Sequence, residues 1–162
     1  MPRHVCVLPT HHGVDHAQKR AYEIALGFGS EVNLALEEDT PVSPDVLDLV
    51  SWWAGNELSW TTVLSCFSHS LDHRFPGKVF LASEFHSWGW AARGDMLRGL
   101  LARWLEHGQG WDVSLQKTLR GAGVNCVLPR LSRSSHIGTL GVHYTPALYA
   151  QHFDGHVKSD GL

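Results

Sequence analysis

The feature that most constrains the fold is an apolar run at residues 32–36 that ends in the adjacent carboxylates of Glu37, Glu38 and Asp39. The run is short, partly β-branched and followed by two X-Pro turns, which is typical of a buried strand. The acids therefore stand where a central strand is expected to leave its sheet, the edge at which open α/β sheets bind ligands. Such a cluster favours a divalent cation with an attached phosphate, or else a solvated acidic turn before a helix.

Helical and strand patterns alternate along the chain, which indicates the α/β class. Strands are predicted at residues 5–8, 32–36, 61–67, 78–82 and 125–128. Asp15 is expected to cap its own helix in a capping box with Gln18. That helix is expected to bury a face formed by Ala17, Ala21, Ile24, Ala25 and Phe28.

Three further helices are predicted from Ser43-Pro44, from Asp95 to about residue 107, and from Trp111. Residues 129–142 are rich in serine, arginine and glycine and are predicted to form a mobile loop. A last short helix is predicted at 145–153, before a polar tail.

The length, composition and net charge of the chain exclude several classes of protein. A chain of 162 residues that is 43% hydrophobic is long enough for one domain with a proper core. A net charge of −3 and scattered basic residues predict no nucleic-acid partner. No apolar run approaches the length of a membrane span, and the N-terminus lacks the pattern of a signal peptide. Three cysteines are too few for a disulfide scaffold.

Three blocks of sequence carry a family resemblance. Residues 34–45 comprise an apolar strand, an acidic triplet and a Ser-Pro-Asp helix start; residues 85–90 end in Gly-Trp; residues 111–142 begin with Trp-Asp and continue through Cys126 and Ser-Arg-Ser to Gly-Val. In this order and spacing they resemble the catalytic domain of the N-acetylglucosaminyltransferases that act on protein-linked mannose, in N-glycans or in O-mannose glycans. The family's acidic triplet is Glu-Asp-Asp, so Glu38 replaces an aspartate.

The resemblance covers roughly residues 17–153 and implies a GT-A-like nucleotide-diphospho-sugar transferase fold, N-terminally incomplete, with a mixed sheet flanked by helices. Residues 1–153 are then a partial GT-A-like domain and residues 154–162 a polar C-terminal tail. The family's uridine-binding β-α-β unit and its membrane anchor have no counterpart in this chain. The implied location is the Golgi lumen, with membrane attachment only through a segment absent from the chain.

The implied reaction moves N-acetylglucosamine from UDP-N-acetylglucosamine to a mannose hydroxyl of a glycoprotein glycan, with inversion. By resemblance, Asp39 binds Mn²⁺, the ion that bridges the diphosphate of the donor. Asp112 matches the catalytic base, which takes the proton of the attacking hydroxyl. An isolated aspartate at a helix start more commonly caps the helix, and one residue can do both.

The resemblance also implies the contacts to the donor, which are assigned to Glu37, Glu38, Trp88, Gly89, Trp90, Trp111, Arg133, Ser134 and His143. Aromatic faces suit a sugar ring, although tryptophans more often pack in a core. The loop at 129–142 matches a family segment that orders over the donor and excludes water. His143 replaces a serine of the N-glycan enzyme. Cys66 and Cys126 match a disulfide pair of that enzyme, and two buried thiols are the alternative.

Two other interpretations stay open. A fragment or a degenerate relative of the family would fold without turning over a substrate. A zinc-dependent hydrolase would use histidines at close spacing. The candidates for the second are His11, His12 and His16, or His69 and His73, but the chain has neither His-Glu-x-x-His nor Cys-x-x-Cys.

Overall fold

The computed structural model describes residues 13–69, 74–108 and 110–137. Within these ranges the chain contains both helices and strands, but the two do not strictly alternate: three strands follow one another before the third helix, and two helices precede the last described strand. The helices are α1 (Val14–Gly27), α2 (Val46–Ala54), α3 (Gly94–Ala102) and α4 (Trp111–Gly121), with a 3-10 turn at Glu57–Trp60. The strands are β1 (Val32–Ala35), β2 (Thr62–Ser65), β3 (Val79–Ala82), β4 (Trp90–Arg93) and β5 (Asn125–Pro129).

The described strands form one mixed sheet in the order β1-β4-β2-β5-β3. The β2 and β5 strands are parallel, with Val63 opposite Cys126, and the other three pairs are antiparallel. The β4 strand lies between β1 and β2, so that Ala91 faces Leu34 on one side and Leu64 on the other. The sheet and its flanking helices confirm the predicted α/β class.

Helices cover both faces of the sheet because successive strand residues point to opposite sides. On one face, side chains of α1, α3 and α4 pack over alternate strand residues, which include Val63, Ala92, Cys126 and Leu128. On the other face, α2 packs Val46 and Trp53 over the intervening residues Leu64, Ala91 and Val127. We call these two layers the three-helix core and the α2 core.

Several local predictions are wrong in detail. Strand β4 is not among the predicted strands, and its two alanines are weak strand formers. Helix α2 begins at Val46, not at Ser43, whose hydroxyl donates a hydrogen bond to the Asp45 carboxylate. Helix α3 ends at Ala102 and is followed by turns. Helix α1 is rotated from its predicted face: Tyr22 is buried, while Phe28 is 55% exposed.

Some predictions fall on residues outside the described ranges. They are the strand at 5–8, the last part of the mobile loop at 138–142, the helix at 145–153, the polar tail, the donor contact of His143, and the zinc candidates His11, His12 and His73. Among the residues that are described, no helix has the length and apolar character needed to cross a membrane.

Candidate active site

The acidic triplet forms a tight turn directly after β1. The Thr40 amide donates to the Glu37 carbonyl at 3.1 Å, which places Glu38 and Asp39 at the tip of the turn. Glu38 is exposed, whereas Glu37 and Asp39 are partly buried. The structure thus puts the three carboxylates at the end of a strand, as the sequence predicts. The strand is not the central, buried one that was expected, because β1 lies at the edge of the described sheet and its residues are only partly buried.

Glu37 points toward α1, since it shares the alternation of Ala35, which packs on the three-helix core. The Nε2 group of Gln18 on α1 donates to Glu37 Oε1 at 3.3 Å. Burial, followed by the charges of Asp39, Glu38 and Asp112, raises the pKa of Glu37 to about 7. Ionisation of Glu37 is therefore disfavoured, first by the partial burial of its carboxyl group and then by the neighbouring carboxylates.

One face of α1 joins the parts of the site. Asp15, Gln18 and Tyr22 lie on the same side of the helix, at spacings of three and four residues. The Asp15 carboxylate accepts a hydrogen bond from the Trp111 amide at 2.9 Å, and the Tyr22 hydroxyl accepts one from Trp90 Nε1 at 3.2 Å. Asp15 lies within α1 and caps α4 instead of its own helix, which corrects the predicted capping box.

Asp112 is exposed in the first turn of α4. Its Oδ1 atom accepts a hydrogen bond from the Val113 amide at 2.8 Å. Because Asp15 contacts Trp111 and Gln18 contacts Glu37, about one turn of α1 separates the start of α4 from the acidic turn. Asp112 and the triplet therefore lie on the same side of the protein, although more than 70 residues separate them in the chain.

Two of the predicted donor-binding tryptophans belong to the three-helix core. Trp90 is 2% exposed and Trp111 is 5% exposed. Both rings meet the edge of Tyr22, with centroid distances of 5.4 and 6.1 Å, and Trp111 stacks on Trp104 at 5.7 Å. Their ring faces are covered by protein, so the prediction that they stack on a sugar is corrected in favour of core packing.

Trp88 lies in the loop before β4 and remains partly exposed. Its ring packs edge-on against Phe67 at 4.8 Å and lies parallel to His86 at 6.2 Å. Burial, with a further contribution from His69, lowers the pKa of His86 to about 4, which keeps that imidazole neutral. Of the three predicted tryptophans, Trp88 is the one with an accessible ring.

Gly89 allows the loop to approach its neighbours closely. Its φ is +79°, a left-handed conformation that favours glycine. A Cβ atom there would lie 3.3 Å from Cys66 Cβ and 3.3 Å from Leu36 Cδ2. The predicted role beside the donor is thus accompanied by a clear packing requirement.

The segment at residues 131–137 runs antiparallel to the chain that follows the acidic turn. Three backbone hydrogen bonds tie it down: Ser43 donates to Arg133 at 2.9 Å, Ser135 to Pro41 at 3.0 Å, and Ile137 to Asp39 at 3.0 Å. The first part of the predicted mobile loop is therefore anchored beside the acids. We call this pairing of residues 39–43 with residues 131–137 the turn ladder.

Arg133 and Ser134 both stabilise the turn ladder. Arg133 Nε donates to Asp45 Oδ2 at 2.7 Å, and its other nitrogens donate to the carbonyls of Leu131 and Pro76. The Ser134 hydroxyl donates to the carbonyl of Trp88. These contacts connect the acidic turn to the aromatic loop.

His136 is a site residue that the sequence reasoning did not assign. Its Nε2 atom lies 3.0 Å from Asp39 Oδ2, and its ring centroid lies 5.6 Å from that of Trp88. The residue is 8% exposed. Its position follows from the turn ladder, and the sequence signal was the group of basic residues formed by Arg130, Arg133 and His136.

The predicted disulfide between Cys66 and Cys126 is wrong. Cys66 lies three residues beyond Val63, the partner of Cys126, which is about 10 Å along the strand. Cys66 packs in the α2 core and Cys126 in the three-helix core, on opposite faces of the sheet. Both are buried free thiols, and burial raises the pKa of each to about 12.

Known proteins and metal-binding patterns add no further assignment. The chain matches no protein-family model, and no curated protein matches it. Within residues 13–69, 74–108 and 110–137, no three His, Cys, Asp or Glu side chains converge as a ready-made metal site. The candidate site is therefore defined by its own geometry: the acidic turn, Asp112, Trp88 and the turn ladder.

Proposed function

We propose that the chain is part of a GT-A-like inverting glycosyltransferase. It would move N-acetylglucosamine from UDP-N-acetylglucosamine to a mannose hydroxyl of a glycoprotein glycan, in the Golgi lumen. The proposal rests on the three sequence blocks that resemble the mannose-directed N-acetylglucosaminyltransferases. The mixed sheet with helices on both faces is consistent with it.

The observation that carries the proposal is the proximity of Asp112 to the acidic turn. An inverting transferase needs one carboxylate on the acceptor side of the sugar and an acidic or metal-binding group on the leaving-group side. Helix α1 joins the two sides through Asp15 and Gln18, three residues apart. The charge of Asp112 also reaches Glu37, which supports a single cleft.

The proposed base has a suitable environment. The Asp112 carboxylate is exposed, so an acceptor hydroxyl can reach it, and the hydrogen bond from the Val113 amide fixes one of its oxygens. The mannose oxygen attacks the anomeric carbon as the bond from that carbon to the diphosphate oxygen breaks. The hydroxyl proton passes to Asp112, and the electron pair of the broken bond leaves with UDP.

The acidic turn is suited to a divalent cation. Its carboxylates are the oxygen ligands that hard cations prefer. Burial, and after it the neighbouring carboxylates, raises the pKa of Glu37. Asp39 would hold Mn²⁺, with Glu37 and Glu38 toward the nucleotide and the water shell of the ion. When bound, the ion would neutralise the charge that develops on the leaving diphosphate.

Trp88 is the residue we assign to the donor sugar, because its ring is the accessible one. Arg133 and Ser134 would act indirectly, since their side chains already bind Asp45 and the Trp88 carbonyl. By holding the turn ladder, they keep Asp39 and Trp88 at a fixed separation. Gly89 would allow the loop to lie close to the sugar.

The decisive experiment replaces Asp112 with asparagine. The amide keeps the size of the side chain and its acceptor oxygen, but it takes no proton at neutral pH. In a protein that also carries the family's N-terminal uridine-binding unit, we expect transfer from UDP-N-acetylglucosamine to a mannoside to fall by about 10²–10⁴-fold, with donor binding unchanged by calorimetry. The matched control is Asp95→Asn, in the first turn of α3, and it should retain the wild-type rate.

A second measurement tests the metal assignment. Mn²⁺ binding in the presence of UDP is expected to be lost in Asp39→Ala and kept in the Asp95→Asn control. Equal binding by wild type and Asp39→Ala would remove Asp39 from the proposal. Wild-type protein that binds UDP and Mn²⁺ without transferring sugar would indicate a non-catalytic relative.

A further inference from the structure

We infer that Asp15 is a positioning residue for Asp112: from α1, its carboxylate caps the first turn of α4 and fixes the orientation of the neighbouring carboxylate. The role of Asp112 as a base rests on the proposed function. The contact between α1 and α4 does not, because it follows from the geometry alone. The two parts are therefore separately testable.

The first step is the unusual start of α4. Gly110 precedes the helix at a φ of +86°, and no side chain from its own N-cap position bonds the helix. The first amides of a helix have no partner within the helix. Asp15 supplies the missing acceptor for Trp111 from another helix, 96 residues away in sequence.

The second step is that Asp15 is itself held at two points. Its side chain binds the Trp111 amide, and its backbone carbonyl accepts a hydrogen bond from Trp104 Nε1 at 3.0 Å. The Trp104 ring stacks on Trp111 with an interplanar angle of 9°. Tyr22, two turns further along α1, makes T-shaped ring contacts with both Trp104 and Trp111.

The third step leads to Asp112. Trp111 is held in place by its packing and by the hydrogen bond to Asp15. The backbone of the next residue, Asp112, is therefore fixed, and the Asp112 side chain is exposed to solvent. The Asp112 carboxylate accepts a hydrogen bond from the Val113 amide, and the Ser114 amide donates one to the Gly110 carbonyl at 3.1 Å. Without Asp15, the Gly110 junction loses its anchor, and the first turn that carries Asp112 can fray.

The test compares Asp15→Ala, Asp15→Asn and a matched control, Asp48→Ala, in the first turn of α2. Asparagine keeps an acceptor oxygen at the same reach, whereas alanine removes it. In Asp15→Ala, amide hydrogen exchange of residues 111–114 should accelerate by roughly 10- to 100-fold. In Asp15→Asn and in the control, exchange should stay close to that of the wild type.

Kinetics then test the consequence for catalysis. In Asp15→Ala we expect kcat to fall roughly 10- to 100-fold, because a shift of about 1 Å in a reacting group has that cost. The affinity for UDP and Mn²⁺ should not change, since the acidic turn is held separately. Asp15→Asn should recover most of the rate.

Two results would overturn the inference. One is unchanged exchange at residues 111–114 in Asp15→Ala, which would mean that the cap does not hold α4. The other is a loss in Asp15→Asn as large as in Asp15→Ala, which would show that the acceptor oxygen is not the cause. If Asp15→Ala does not fold, Asp15→Ser takes its place in the exchange measurement, because its shorter side chain does not extend to the Trp111 amide as the carboxylate does. A wild-type protein without transferase activity would refute the proposed function and leave the exchange test of the cap intact.

Discussion

The two sides of the candidate site are held in different ways. On the helical side, formed by α1, α4 and β4, large side chains pack around Tyr22 and bury Trp90 and Trp111. On the turn side, backbone hydrogen bonds of the turn ladder carry the structure, with Arg133 joining it to Asp45. One side depends on the shape of its side chains, and the other depends mainly on groups that every residue possesses.

This difference predicts how each side responds to mutation. Packing on the helical side is spread over many contacts, so removing one polar atom should cost little. The turn side concentrates its side-chain contribution in a few polar residues, of which Arg133 has the most partners described here. Four substitutions test the contrast, and we take them from the largest expected effect to the smallest.

Arg133→Ala should be the most damaging. It removes the ion-pair partner of the Asp45 carboxylate and the Arg133 donors to two carbonyls. The Arg133 side chain is only 12% exposed. Breaking a buried ion pair costs about 3–5 kcal/mol, and because Asp45 is 33% exposed we expect about 3 kcal/mol. Urea unfolding measures it. The matched control is Arg98→Ala, whose pair with Asp95 is exposed. If both substitutions cost the same, Arg133 does not hold the turn side.

Gly89→Ala should cost about 2 kcal/mol. The left-handed backbone alone costs an L-residue about 1–2 kcal/mol, and the added Cβ would crowd Cys66 and Leu36 at 3.3 Å. Gly99→Ala is the control, since it lies inside α3 with nothing within 4 Å of its Cβ position. That change should stabilise the protein by about 0.5–1 kcal/mol. A neutral Gly89→Ala would show that the loop is not fixed where Trp88 needs it.

Tyr22→Phe tests the helical side and should cost about 1–2 kcal/mol. The ring and its contacts remain, but the buried Trp90 Nε1 loses its acceptor. Burial raises the pKa of Tyr22 well above its ordinary value, so the hydroxyl stays neutral at every pH used. A double-mutant cycle with Trp90→Phe isolates the hydrogen bond. A cost larger than that of Arg133→Ala would reverse the contrast between the two sides.

Glu37→Gln should have the smallest effect, and it should stabilise the protein. The pKa of Glu37 is raised from 4.5 to about 7 in the folded state, so between these values the folded protein keeps a proton that the unfolded chain has lost. Wild-type stability therefore falls as pH rises through this window, and glutamine removes the loss. Allowing for solvent screening of this partly exposed group, we expect about 1 kcal/mol at pH 8 and none at pH 4.

The exposed neighbour Glu38→Gln serves as its control in the same turn, with a smaller change expected at pH 8. Thermal unfolding at the two pH values measures both variants. A Glu37→Gln protein that gains no stability at pH 8 would mean that neither burial nor the neighbouring carboxylates disfavour the ionised Glu37 in the folded protein. The motive for a cation at Asp39 would then be lost.

Sequence patterns predicted single elements better than the contacts between them. The strand at residues 32–36 and the helix from Trp111 show in apolar runs and helix-start residues, and the structure confirms both. The turn ladder left no such trace, because backbone amides and carbonyls bond alike whatever side chains they carry. For the same reason, His136 could not be placed beside Asp39 from the sequence.

The wrong predictions have a common cause in long-range contacts. Asp15 has the local pattern of an N-cap, but a partner 96 residues away uses its carboxylate. Strand β4 has weak strand formers and depends on β1 and β2 on its two sides. The predicted disulfide was wrong because a match to a family sequence pattern does not determine which face of the sheet a side chain occupies. Cys66 and Cys126 lie on opposite faces.

The strand order has a consequence for how the chain folds. In the described sheet, β1-β4-β2-β5-β3, no strand is a neighbour of the one that precedes or follows it in sequence. Local hairpins therefore cannot nucleate this sheet, and each pair must close a long loop before it gains any contact. We expect slow folding for a protein of this length.

During synthesis, β5, the last strand of the described sheet, has the largest effect on when the sheet can form. Strand β3 pairs in the described sheet with β5, which is also the parallel partner of β2. Until residues 125–129 leave the ribosome, the edges of β2 and β3 stay open, and open edges are where chains aggregate. Nascent chains that end before residue 125 should need chaperones, and chains that extend past it should acquire a protease-resistant sheet.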